Sequence, residues 1–145
     1  MHIPAGYQLH ITTWENDGDA SATQIKSGLY KEDVKFYIAM AKQFYSRNSR
    51  KGGEGTRGNG SNTTEQLKEC LEKAIKLAPP VGDEILKDIK EILEDPEMIW
   101  EWLCDEILGY PVSDYYAEEE NFTRVFESFE VFFFPETVYD LTKDF

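Results

Sequence analysis

Seven carboxylates in the second half of the chain form two series at helical spacing. Steps of three or four residues separate Glu84, Asp88, Glu91 and Asp95 on the third predicted helix, and steps of four separate Glu97, Glu101 and Asp105 on the fourth. In an α-helix a step of four places side chains on one face, roughly 6 Å apart along the axis. Carboxylates accept forked hydrogen bonds from arginine, as phosphates do. The spacing therefore favours a surface that replaces nucleic-acid phosphates in the basic groove of a partner protein.

The acidic spacing works against helix stability. Like charges three or four residues apart cost a few tenths of a kcal/mol per pair, and Lys87 and Lys90 offset only part of that cost. A solvated helix face is the ordinary meaning of a run of charges. The tripeptide Glu118-Glu119-Glu120 extends the acidity beyond the helices, and we include Glu118, Glu119 and Glu120 in the candidate partner-binding surface.

Trp100 is the candidate aromatic anchor of that surface, because Ile99, Leu103 and Ile107 already supply a core-facing side of the same helix. A tryptophan of the core is nevertheless the favoured interpretation of Trp100. Glu106 falls inside the apolar arc of this helix, so it needs a partner or a groove if it is buried.

Asp17 and Asp19 lie in the run Trp14-Glu15-Asn16-Asp17-Gly18-Asp19, whose oxygen ligands could hold a divalent cation. The calcium-loop pattern requires a bidentate glutamate at its twelfth position. With Asp17 as the first position, the twelfth is Gly28. A capped turn after a strand is the favoured interpretation, and we predict no metal and no cofactor.

A glycine-rich segment, residues 48–61, carries a basic cluster that includes Arg47 just before it and Arg50, Lys51 and Arg57 within it. Glycine amides can cradle a phosphate, but the Gly-Lys-Ser or Gly-Lys-Thr ending of a nucleotide-hydrolysing loop is missing. A flexible insertion is the favoured interpretation. The alternative function is sequestration of a nucleotide signal by these four residues.

The sequence carries no recognisable catalytic motif. His2 and His10 are the only histidines, and neither has a cysteine or second histidine at ligand spacing. There is no nucleophile elbow and no dinucleotide fingerprint. We expect a non-enzymatic protein, and a metal-dependent enzyme using Asp17 and Asp19 is the least favoured alternative.

Hydrophobic periodicity predicts an α+β fold, in which a small antiparallel sheet formed by the N- and C-terminal strands is packed by about four helices. Residues 20–29 are expected to form a loop, and residues 138–141 either a short edge strand or a helical turn. The late strand is expected to be covered on much of both sides, and the third helix to bury Leu86 and Leu93. The predicted strands are residues 6–14 and 122–134, and the predicted helices are residues 31–47, 62–78, 83–94 and 95–108.

The length and composition limit the number of domains and the class of protein. A chain of 145 residues with 41% hydrophobic content suits a single domain, residues 1–145, and no apolar run approaches the roughly 20 residues that cross a bilayer. Cys70 and Cys104 are expected to be reduced core thiols, which suits a cytosolic setting.

The negative charge is regional. Residues 79–145 contain 19 acidic and 4 basic residues, whereas residues 1–78 contain 9 and 11. A surface of this sign repels nucleic acid and anionic membrane, so the expected partner is a basic protein. The sequence does not decide the oligomeric state, and a homodimer is one of the states it allows.

The opening strand running into Thr12-Thr13-Trp14-Glu15-Asn16-Asp17-Gly18-Asp19, and the late segment Phe126-Glu127-Ser128-Phe129-Glu130-Val131 leading to Pro135-Glu136, resemble small accessory proteins of tailed bacteriophages. The resemblance covers the two chain ends and the first helix. That group has no established activity, so no functional residue transfers. The resemblance implies a setting, the cytoplasm of an infected bacterium, where small accessory proteins in general often block host defences or redirect host enzymes.

Overall fold

The computed structural model describes residues 2–15, 20–48, 56–57, 64–108 and 123–139. Within these ranges the chain has the predicted α+β fold, with a small antiparallel sheet contributed by both chain ends and four α-helices. The sheet is therefore assembled from residues far apart in sequence.

The centre of the main sheet is strand β2 (Gly6–Glu15), which pairs antiparallel with β3 (Ala20–Leu29) on one side and with β5 (Thr123–Phe134) on the other. The predicted pairing of the first and late strands is confirmed. The short strand β4 (Thr56–Arg57) adds to the far side of β5, so that the strand order is β3-β2-β5-β4.

A separate two-stranded ribbon joins the chain ends. Strand β1 (His2–Ile3) pairs antiparallel with β6 (Val138–Tyr139), which settles the undecided conformation of residues 138–139 in favour of a strand. Residues 140 and 141 lie outside the described ranges.

Two segments predicted as loops contain strands. Residues 20–29 form β3, because Thr23, Ile25 and neighbouring residues suit a pleated surface once β2 supplies a hydrogen-bonding partner. Within the predicted flexible segment 48–61, Thr56–Arg57 form β4, residue 48 ends the first helix, and the remainder lies outside the described residues.

A bulge in β3 decides which of its side chains face the helices. Tyr7 pairs with Leu29 but Leu9 pairs with Lys26, so β3 carries one extra residue there, and Gly28 adopts a φ of +66°. A one-residue shift reverses the faces of a strand. Lys26 consequently shares the core face with Leu9, whereas Ile25 points to the outer face and is 54% exposed.

The helices occur where apolar residues repeat at helical spacing. The first three are α1 (Lys31–Asn48), α2 (Thr64–Leu77) and α3 (Asp83–Glu94). The fourth predicted helix consists of a 3-10 turn (Pro96–Met98), helix α4 (Ile99–Leu103) and a π-helical turn (Cys104–Leu108).

Asp95 lies at the N-cap position before Pro96, as predicted, but its side chain makes no capping hydrogen bond. The start of this segment is therefore fixed by Pro96, which is preorganised for the first turn, and not by an Asp95 side-chain cap.

The core lies between β2 and the helices, where Leu9 and Ile11 meet Phe36 and Met40 of α1. Cys70 and Cys104 are both buried and neither is in a disulfide bond, as predicted. The buried side of α3 is narrower than predicted: Ile85, Ile89 and Ile92 are buried, but Leu86 and Leu93 are 45% and 42% exposed. The apolar arc of this helix is wider than the surface that covers it.

The late strand is also less covered than predicted. Val131, Phe132 and Phe133 are all exposed by two-fifths or more, although successive residues point to opposite faces of the sheet. The expectation that β5 is covered on both sides is wrong for this end of the strand. The helices cover the part of the sheet around Leu9 and Ile11.

Asp33 joins α1 to the start of α3. Its buried carboxylate accepts hydrogen bonds from the backbone N–H groups of Val81 (2.8 Å) and Gly82 (3.0 Å). A Cβ atom at Gly82 would lie 2.7 Å from Asp33 Oδ2, so only glycine permits this approach without a shift. The contact places the acidic face of α3 relative to α1.

Candidate functional site

An acidic cleft lies between α3 and the segment that follows it. Its volume is about 260 Å³. The lining residues are Asp88, Glu91, Ile92, Met98, Glu101, Trp102, Asp105 and Glu106. Five of them carry carboxylates and three are apolar, so the cleft combines a negative potential with hydrophobic contact area.

The cleft follows from the periodicity of the two segments. In α3, burial of Ile85, Ile89 and Ile92 turns Asp88 and Glu91 to one flank of the helix. In the next segment, burial of Ile99 and Leu103 directs Glu101 outward in the same way. The turn at Asp95-Pro96 brings the two flanks together.

The electrostatics of the cleft raise the pKa of Asp88. Partial burial is the largest cause, and the negative charges of Glu106 and Glu91 act in the same direction, whereas the indole of Trp102 lowers the pKa. The carboxylate of Asp88 is therefore held in an environment that disfavours its charged form.

Lys26 and Glu106 form an ion pair at the inner end of the cleft. The Lys26 side chain is 9% exposed, and that of Glu106 is 31% exposed. The Lys26 ammonium also lies 4.6 Å from the centre of the Tyr37 ring, within the range of a cation–π interaction. The expectation that Glu106 needs a partner is confirmed, and the partner comes from β3.

Tyr37 is buried beside this ion pair. Burial is the main cause that raises the pKa of its hydroxyl well above the ordinary value, and the nearby carboxylates of Glu106 and Asp88 add to the rise. The phenol therefore stays neutral under ordinary conditions.

A second cavity, of about 290 Å³, adjoins the cleft and shares Asp88 and Glu106 with it. It is formed by the end of β3, the first turns of α1 and the start of α3. Its acidic lining residues are Asp33, Asp83, Glu84, Asp88 and Glu106. The negative potential thus extends beyond the cleft along the start of α3.

The structure brings together five of the ten carboxylates of the predicted acidic surface. Asp88, Glu91, Glu101 and Asp105 line the cleft, and Glu84 lines the second cavity. Asp95 and Glu97 are exposed at the turn that connects the two segments. Glu118, Glu119 and Glu120 lie outside the described residues.

Trp100 does not serve as an exposed anchor, because it is 7% exposed and belongs to the hydrophobic core. The favoured interpretation of Trp100 as a core tryptophan is confirmed, and its candidate role as an anchor is wrong. The apolar arc of a five-residue helix followed by a π-helical turn is wide enough to include it. The aromatic side chain that lines the cleft is Trp102, which the sequence analysis did not single out.

The alternative sites are described only in part. Arg47 lies near the end of α1 and Arg57 in β4, whereas Arg50, Lys51, Asp17 and Asp19 lie outside the described residues. Within the described ranges, no group of three or more histidine, cysteine, aspartate or glutamate side chains could hold a metal ion.

Sequence reasoning missed Lys26 and Tyr37. The sequence pointed to Lys26 only indirectly. The position of Glu106 in an apolar arc predicts a partner for its carboxylate, but it does not identify the residue that supplies the positive charge. The sequence shows that Ile92 and Met98 are apolar residues close to the acidic series. It does not show that they line a cleft, because that depends on the turn at Asp95-Pro96.

No protein-family model, curated protein or solved structure matches the chain. Among the helices that the structure describes, none is long and apolar enough to span a membrane.

Proposed function

We propose that this protein is a non-enzymatic binding protein whose acidic face, which contains the cleft, occupies the nucleic-acid groove of a basic protein in a bacterial host. The partner is a nucleic-acid-binding or defence protein, and the carboxylates replace phosphates. The supporting observation is that Asp88, Glu91, Glu101 and Asp105, from two consecutive segments, converge on one cleft.

The charge of the cleft is largely uncompensated. Lys26 neutralises Glu106, but within the part of the chain that the structure describes no ion pair joins Glu91, Glu101 or Asp105 to a lysine or arginine. Among the described residues these three carboxylates have no basic partner, which supports their availability to a partner protein. The raised pKa of Asp88 is consistent with this, because partial burial and the nearby charges of Glu106 and Glu91 all disfavour the charged form of this carboxylate in the isolated protein.

The shape of the cleft suits the side chain of arginine or lysine. Both have an apolar stem and a cationic end. Met98 is 40% exposed and supplies apolar contact area for the stem, whereas Ile92 and Trp102 are buried residues of the cleft lining. The carboxylates of Glu91 and Glu101 lie in the same cleft for the cationic end. An arginine side chain should bind more strongly than a lysine side chain, because its planar guanidinium donates two parallel hydrogen bonds to a carboxylate.

The bacterial setting of the proposal comes from the resemblance of both chain ends to small accessory proteins of tailed bacteriophages. An inhibitor of a host defence protein fits that setting. A protein that mimics a phosphate backbone competes with DNA or RNA for one groove, so a captured partner should be displaced by nucleic acid.

The test is capture of partners from a bacterial lysate on the immobilised protein, with quantification by mass spectrometry. We expect basic nucleic-acid-binding proteins to be enriched, and to be released by added DNA or RNA and by high salt. The double variant Glu91→Lys/Glu101→Lys should lose them.

The matched control is Glu65→Lys/Glu72→Lys, which makes the same change of net charge at exposed positions of α2 that line neither cavity. Binding that survives the cleft variant, or that is lost equally in the control, contradicts the proposal. Calorimetry with a panel of linear and cyclic nucleotides tests the alternative, and binding that depends on Arg50 and Lys51 would favour it.

A further inference from the structure

The acidic cleft and the second cavity have two carboxylates in common, those of Asp88 and Glu106. Glu106 is ion-paired with Lys26. The Glu106 side chain nevertheless remains partly exposed, so its carboxylate can be reached from solvent while it holds the lysine. The ion pair thus places a cation of the chain itself on one of the carboxylates that line the cleft.

Lys26 is held firmly at this position. Its side chain is 9% exposed, and its ammonium lies 4.6 Å from the centre of the Tyr37 ring, where a cation–π interaction favours its charge. The backbone fixes the direction of the side chain, because the bulge at Gly28 places Lys26 on the core face of β3. A cation that enters the cleft must therefore compete with Lys26 for the carboxylate of Glu106.

We infer that Lys26 limits the affinity of the acidic cleft for a cationic partner, because it neutralises the carboxylate of Glu106 from within the fold. The inference rests on the proposed function and describes how the same site is regulated. While Lys26 is in place, the cations of a partner meet the other carboxylates of the cleft, which belong to Asp88, Glu91, Glu101 and Asp105.

A purely structural ion pair predicts a different result. Strand β3 is at one end of the strand order of the described sheet, and an inward-pointing charge on an edge strand hinders pairing with another chain. If the pair served the fold alone, loss of Lys26 would leave the affinity for a cation unchanged, or would lower it by loosening the cleft. Competition for Glu106 predicts the opposite sign, which is tighter binding.

The test is isothermal titration calorimetry with a hexa-arginine peptide amide at about 0.15 M salt, where charges more than about 8 Å apart are largely screened. Lys26→Met removes the ammonium and keeps an unbranched side chain. We expect it to bind the peptide on the order of threefold more tightly than the parent protein, as one additional ion pair allows. Lys26→Gln repeats the test with a polar side chain, and Lys26→Arg, which keeps the cation, should bind as the parent does.

Two controls separate competition from a change of net charge. In Lys26→Met/Glu106→Gln the freed carboxylate is removed as well, so the gain in affinity should vanish. Lys73→Met makes the same change of net charge as Lys26→Met at an exposed position of α2 that lines neither cavity, and it should bind nearly as the parent does. Far-ultraviolet circular dichroism and the melting temperature establish that each variant is folded.

A folded Lys26→Met that binds no more tightly than the parent overturns the inference. So does a gain that persists without the Glu106 carboxylate, or one that Lys73→Met reproduces in full. Failure of both Lys26→Met and Lys26→Gln to fold assigns the pair to stability and overturns it too. The proposed function fails separately, if binding of the peptide by the parent survives Glu91→Lys/Glu101→Lys. Absence of binding by both the parent and Lys26→Met contradicts the function and the inference together.

Discussion

At the scale of single residues, Asp88 shows most directly that the cleft is not arranged for stability. Its carboxylate is partly buried and lies near the charges of Glu106 and Glu91. Each of these influences favours the protonated form. A partner that brings a cationic group to the cleft would reverse the effect and favour the carboxylate.

We predict that Asp88→Asn stabilises the protein at about pH 7. The pKa of Asp88 is higher in the folded than in the unfolded protein, so the folded state binds more protons between those two values, and stability falls as the pH rises through that interval. Asparagine removes the charge and keeps an acceptor oxygen near Trp102.

The measurement is the melting temperature of both proteins as a function of pH. The stabilisation should disappear below about pH 3, where aspartate is protonated in both states. A variant that melts lower than the parent at neutral pH, or a difference that persists unchanged in acid, would show that the Asp88 charge is not the cause.

At the scale of secondary structure, the ion pair between Lys26 and Glu106 connects the edge strand β3 to the π-helical turn. The lysine is almost fully buried, so its charge is compensated by Glu106 and by the Tyr37 ring. Removing one member of such a pair leaves the other charge without its partner. The pair therefore fixes how the last helical segment sits against the sheet.

We predict that Glu106→Ala destabilises the protein by about 1–3 kcal/mol, because it leaves the buried Lys26 ammonium without its carboxylate. Lys26→Met should cost less, since Glu106 is nearly one-third exposed and can be solvated. Urea unfolding of both variants, of Glu106→Leu, and of the double variant Lys26→Met/Glu106→Leu measures the coupling.

The double variant should recover part of the stability lost in Glu106→Ala, because an apolar pair of similar volume replaces a buried ion pair at little cost. Strictly additive losses would mean that the two side chains act independently.

At the scale of the whole molecule, the formal net charge of −13 is concentrated in residues 79–145. Neighbouring carboxylates on α3 and the following segment repel one another, and α1 adds further negative charge through the buried Asp33. The fold is held by a continuous apolar core, and the surface charge reduces its stability.

We predict that sodium chloride raises the melting temperature between low ionic strength and about 0.5 M, because counter-ions screen repulsion between surface charges. The variant Glu91→Gln/Glu101→Gln should melt higher than the parent at low salt and gain less from added salt. Differential scanning calorimetry measures both quantities. A melting temperature that is constant or falls with salt would show that the carboxylates do not repel one another appreciably.

The sequence by itself determined the helices, strands β2 and β5 and their pairing, and the alignment of the carboxylates, but not strand β3. Each of these follows from a local period: burial of Ile85, Ile89 and Ile92 alone decides where Asp88 and Glu91 point. The charge division along the chain was equally visible, because it depends only on composition.

Tertiary structure alone decided that Lys26 faces the core and Ile25 the outer face, because the bulge at Gly28 shifts the register of β3 by one residue. It also decided that Trp100 is buried and that Trp102 lines the cleft. Periodicity defines which side of a segment is apolar, but the width of the buried side depends on what packs against it. That depends on residues distant in sequence, which no local pattern encodes.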